Sequence, residues 1–176
     1  MRLRILMIAI LVASVASAQT SKPNFSGTWE IDQDKSTSKV TPIKESNSTV
    51  PPNALPPPPP SRKALPAIIV HREPRLDITR PNPDVDTPTH LHYTTDGAEN
   101  VNTEQFSTPG LSERSNTRWD GNKLVTEWRL VHNGEVTLRA RLVRTLSADG
   151  TTMTEDQRIE TATSIRESHT IWVKKL

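Results

Sequence analysis

Apolar and polar residues alternate with a period of two through most of the second half of the chain. Between Asn122 and Val131, Leu124, Trp128 and Leu130 fall on one face with Thr126, while Lys123, Glu127 and Arg129 fall on the other. Between Glu135 and Leu146, Val136, Leu138, Ala140, Leu142 and Leu146 share a face against Thr137, Arg139, Arg141 and Thr145. Successive side chains of a strand point to opposite faces, so this pattern predicts two half-buried strands. Asn133-Gly134 separates them, and Asp96-Gly97, Asp120-Gly121 and Asp149-Gly150 stand at similar boundaries. Asx-Gly pairs favour the type I′ turn of a tight antiparallel hairpin, because both its central residues need φ > 0.

Thr151 to Thr161 and Ser168 to Lys174 continue the pattern downstream. Upstream, Asn24 to Asp32, Ala67 to His71, Arg75 to Arg80, His90 to Thr95, Glu99 to Phe106 and Arg114 to Trp119 repeat it less cleanly. The reading is nine or so strands joined as successive hairpins, with no amphipathic helix longer than two turns. An open sheet of that size would expose unpaired edges, and closure removes them. The predicted fold class is therefore all-β, an antiparallel up-and-down β-barrel with the first strand near the last. A two-sheet sandwich is the alternative.

Residues 1–18 change the composition of the functional chain. Arg2 and Arg4 precede an apolar run from Ile5 to Val15 and the small-x-small triplet Ala16-Ser17-Ala18, which predicts a signal peptide cleaved after Ala18 and a periplasmic or secreted protein. The run is shorter than the roughly 20 residues of a membrane-spanning helix, so no stable membrane span is expected. Without the leader, twenty Lys and Arg balance twenty Asp and Glu. With no basic cluster interleaved with aromatics, no nucleic acid partner is expected either. The absence of Cys excludes disulfides and thiolate metal sites. Eight of the fifteen prolines lie between Pro51 and Pro66, which makes 36–66 a disordered or polyproline II insertion within one domain, 19–176.

The opening strand Phe25-Ser26-Gly27-Thr28-Trp29-Glu30-Ile31-Asp32 resembles the first strand of the lipocalin and fatty-acid-binding-protein (calycin) superfamily, whose Gly-x-Trp element matches Gly27-Thr28-Trp29. It is also similar to the opening of small secreted lipocalin-like bacterial proteins. The likeness extends to Trp119 to Leu124 and Leu146 to Thr154. The resemblance implies a barrel whose floor Trp29 plugs. In the fatty-acid-binding family a two-helix lid follows the first strand, where this chain has its proline-rich segment. That family also grips a carboxylate with an Arg and a Tyr on the last strand, and those positions fall here on Thr170 and Trp172, without the charge.

Arg144 is in register with Leu142 and Leu146 on the face expected to point inward. An arginine there binds an anionic group, pairs with a buried acid, or sits in water at the barrel mouth, and the mouth is the placement expected. The residues expected to line a ligand cavity are Trp128, Leu138, Leu142 and Trp172, with Arg144 as a polar handle. Only seven aromatic residues of the Phe, Tyr and Trp classes are available to fill a barrel, which favours a cavity. His90-Leu91-His92 places two imidazoles on one strand face, a spacing that holds zinc when a third ligand arrives; no metal site is expected, since no neighbouring carboxylate marks a second shell. Neither Gly-x-Ser-x-Gly nor His-Glu-x-x-His occurs, and no cofactor or enzymatic activity is expected. The expected function is reversible binding of a small apolar or amphipathic molecule by a monomer. The alternatives are a filled barrel acting as an interaction module, and an enzyme with a site that leaves no local motif.

Overall fold

The alternating segments form ten antiparallel strands in one sheet, in a computed structural model that describes residues 22–43, 65–81 and 87–175. They are β1 (Gly27–Pro42), β2 (Ala67–Arg72), β3 (Arg75–Arg80), β4 (Thr89–Thr94), β5 (Asp96–Asn102), β6 (Leu111–Asp120), β7 (Lys123–His132), β8 (Glu135–Leu146), β9 (Thr152–Thr161) and β10 (Ser164–Lys174). Every neighbour in the sheet is the next strand in the chain, except that β10 returns to pair with β1. The result is an up-and-down barrel, nearly closed, with no helix among the described residues.

Closure is incomplete between β4 and β5, which stand at the two ends of the sheet order and are joined through Thr95. A side chain replaces the missing ladder there. The Asn102 amide oxygen accepts the His92 backbone N–H at 3.0 Å, and its Nδ2 donates to the His92 carbonyl at 3.2 Å. Both backbone groups of His92 are thus satisfied as in an antiparallel pair.

Of the four Asx-Gly pairs, Asn133-Gly134 alone has both residues at positive φ, 49° and 89°, as a type I′ turn requires. At Asp96-Gly97 the glycine, φ 87°, lies at a register shift of β5 against β6, so the pair forms a bulge and Thr95 makes the connection. Asp149 organises its loop by accepting from the Thr151 N–H at 3.0 Å and the Ser147 hydroxyl at 2.5 Å. Those hydrogen bonds, led by Ser147, hold its carboxyl down at about 2.

β1 runs past Asp32 to Pro42, so residues 36–42 belong to the barrel and not to the proline-rich insertion. Between Asp32 and Thr37 the register against β10 shifts. Ser36 stitches this bulge: its hydroxyl donates to the Asp32 carbonyl at 2.6 Å and accepts the Ile171 N–H at 3.0 Å. The expected leader at 1–18 and most of the proline-rich segment lie outside the described residues.

One apolar cluster packs inside the barrel around Trp29, which is fully buried. Phe25, Ala67, Ile69, Leu76, Ile78, Leu91, Tyr93, Leu124, Met153 and Trp172 complete it. The Trp29 indole N–H donates to the Phe25 carbonyl at 2.9 Å, so the bulkiest core residue leaves no polar atom unpaired.

Candidate functional site

All five residues expected to line a cavity lie on the inward face, because their strands stay in register. Leu142 stands opposite Thr126, Trp128 opposite Ser115 and Ala140, Leu138 opposite Leu130, Arg144 opposite Leu124 and Glu155, and Trp172 opposite Met153. They differ in depth. Leu142 and Trp172 are each 5% exposed, whereas Trp128 and Leu138 are half-buried. Trp128 also lines, with Arg129, Arg139 and Arg141, a surface depression of about 430 Å³.

Arg144 is 1% exposed and so does not sit in water at the mouth. It pairs with a buried acid instead: its Nε donates to Glu155 Oε2 at 3.0 Å. The same oxygen receives Arg80 Nη2 at 3.5 Å, reaching from β3, with three strands between it and β9 in the sheet order. The Arg80 guanidinium lies 5.6 Å from the centre of the Trp172 ring, near enough for a cation–π contact.

Facing these groups is a polar wall that the alternation left unassigned. Glu113, Ser115 and Thr117 all point inward from β6 and are buried, and Thr117 hydrogen-bonds Thr126 of β7 at 2.9 Å. Glu113 accepts from the Tyr93 hydroxyl at 3.0 Å and from Gln105 Nε2 at 3.3 Å, with Asn102 Nδ2 at 3.5 Å. Burial pushes the Tyr93 phenol well above its ordinary value, and the Glu113 charge adds to the rise while Arg144 and Arg80 oppose it. Tyr93 is therefore a hydrogen-bond donor here and not an anion.

Four buried polar atoms find no partner among the described residues: Arg144 Nη1, Arg80 Nε, Trp172 Nε1 and Ser115 Oγ. All four belong to side chains on the inward face. Three are donors only and the fourth is a hydroxyl, so the interior presents hydrogen-bond donors awaiting acceptors.

A second polar cluster gathers buried His71 and Thr95 with the half-exposed Glu73 and with Trp119. His71 Nδ1 accepts the Phe25 N–H at 3.3 Å, which leaves its proton on Nε2 to donate to Glu73 at 3.0 Å. Glu73 also accepts from the Trp119 indole at 2.8 Å and from the Thr95 hydroxyl. Partial burial pushes the Glu73 carboxyl up, but the bonds from Thr95 and Trp119 and the His71 contact outweigh it, and the group sits below its ordinary value. This knot ties the β2–β3 turn to β6 and to the segment before β1, and its role is structural.

His90 and His92 both face outward from β4 and are held by β3: His90 Nδ1 lies 3.2 Å from the Thr79 hydroxyl, and His92 Nδ1 lies 2.7 Å from Asp77 Oδ1. Among the described residues no third ligand joins them.

No protein-family model and no curated protein matches the chain. Among solved structures, it is similar to secretory abundant heat soluble protein 4 from Ramazzottius varieornatus, at 12% identity over 90% of this chain and 100% of that chain, with a TM-score of 0.46.

Proposed function

We propose that the protein is an exported, lipocalin-like carrier that reversibly holds a small amphipathic molecule inside its barrel. One observation carries the reading: next to an apolar core, three side chains at least nine-tenths buried, Arg144, Trp172 and Ser115, each aim an unpartnered polar atom inward. A buried polar group without a partner costs about 1–3 kcal/mol, so a ligand that supplies acceptors to these donors is favoured by a term of that order. Trp128 and Leu138, half-buried on the same face, form the apolar wall for the rest of the molecule.

The test is native mass spectrometry of the protein purified from its own exported fraction, followed by denaturing extraction. A discrete small molecule that is retained by the wild type and lost from Trp172→Phe supports the carrier. A clean apo mass, with no uptake from a lipid and metabolite extract, removes it. That outcome favours a filled barrel whose loops and outer wall meet a protein partner, a reading supported by the complete burial of Trp29, Phe25 and Met153.

A further inference from the structure

Among the described residues, buried Arg144 and the 40%-exposed Arg80 both meet one glutamate, Glu155, while a second buried glutamate, Glu113, is held without an arginine. Glu155 Oε2 is shared by both guanidinium groups, and Glu113 is held by three neutral donors from Tyr93, Asn102 and Gln105. The groups that remain without partners, Arg144 Nη1, Arg80 Nε, the Trp172 indole N–H and the Ser115 hydroxyl, lie at the margins of these pairs. They lack a hydrogen-bond partner; they do not lack a counter-charge.

We infer that the polar end of the ligand is an uncharged acceptor, a ketone, ester or amide carbonyl, and that the site discriminates against a carboxylate. This rests on the carrier reading and names the ligand class of that same site. A carbonyl oxygen accepts from Arg144 Nη1–H or the Trp172 indole N–H and leaves the Arg144–Glu155 pair intact. A carboxylate brings a third negative charge into the buried interior beside Glu155 and Glu113. It is accommodated only if it displaces Glu155 from Arg144, which strands that glutamate, or if it remains uncompensated itself, and both are costly in a medium that screens poorly. Specificity arises from the repulsive element as much as from the donors.

Calorimetric titration at pH 8 with a matched pair, 2-tridecanone and dodecanoate, decides the matter. The ketone is expected to bind at least about tenfold more tightly, a free-energy gap of about 1.4 kcal/mol. Glu155→Gln, which removes one negative charge, is expected to raise dodecanoate affinity and narrow or reverse that order. Glu113→Gln provides a second variant for the same shift, with circular dichroism as the check on folding. Dodecanoate binding the wild type as tightly as the ketone overturns the neutral-head inference and leaves the carrier standing. Saturable uptake of neither compound overturns both.

Discussion

Arg144 and Glu155 stand directly opposite each other on β8 and β9, and the arginine Nε reaches the carboxylate at 3.0 Å with both side chains less than a tenth exposed. Each residue is tolerable in the interior because of the other. A buried pair adds little stability over an apolar replacement, but breaking it leaves a charge with no solvent and a weaker partner.

Removal of one member should therefore be much worse than removal of both. Arg144→Met is expected to lower the unfolding free energy by about 3 kcal/mol, near the low end of the range for a broken buried pair because Arg80 still reaches Glu155. The double variant Arg144→Met with Glu155→Leu should recover most of that loss. Urea denaturation of the full cycle checks it, and additive single losses would mean that the two residues are not coupled.

The Glu73 knot should weaken on acidification. Its folded carboxyl lies below its ordinary value of 4.5, so its contribution is complete above that value and is lost as pH falls through the folded value. Glu73→Gln should be less stable than the wild type at neutral pH, with the difference shrinking below the ordinary glutamate range. Thermal melts from pH 7 to pH 3 test this, and parallel curves for the two proteins would contradict it.

The Asn102 amide makes two hydrogen bonds across the β4–β5 seam, beside the single one that Asn100 Nδ2 donates to the Thr94 hydroxyl at 3.2 Å. Asn102→Ala should strip both partners from the His92 backbone and cost about 1–3 kcal/mol. Amide hydrogen exchange at His92 should accelerate, while exchange in β7 and β8 reports global stability only. Asn102→Asp keeps the acceptor for the His92 N–H but loses the donor, and should fall between the alanine variant and the wild type.

At Gly134, φ of 89° is a backbone state that an L side chain strains to adopt. Gly134→Ala should cost about 1–2 kcal/mol. Gly97 has the same φ sign and open space around it, but it occupies a bulge and not the hairpin turn itself. Comparing the melting temperatures of the two alanine variants separates turn from bulge; a larger loss at Gly97 would place the register-setting element at β5.

Hairpin architecture is legible because Leu124 to Leu130 and Leu138 to Leu146 alternate in residue type, although Val125 is buried on the opposite face and the register shift after Leu130 leaves Val136 exposed, not inward with Leu138. β8 begins at Glu135 and ends at Leu146, where the alternation does. β6 carries no such mark. Its inward Glu113, Ser115 and Thr117 are as polar as its outward Arg114, Asn116 and Arg118, and the signals of phase are confined to the strand ends, Leu111 and Trp119. The polar wall of the candidate site was hidden for that reason. The extension of β1 to Pro42 escaped because both of its faces are exposed, so its backbone pairing with β10 leaves no hydrophobic trace. Arg144 was assigned the correct face and the wrong depth, since its partner Glu155 lies on a strand whose own alternation is weak.

The pairing of β1 with β10 sets an order of events in time. During synthesis β1 precedes β10, and β10 is the ladder partner of one flank of β1. Neighbouring strands such as β2 and β3 can pair as a hairpin early, whereas the β1–β10 ladder joins the two most distant strands of the sequence and so carries the largest loop-closure cost in the sheet.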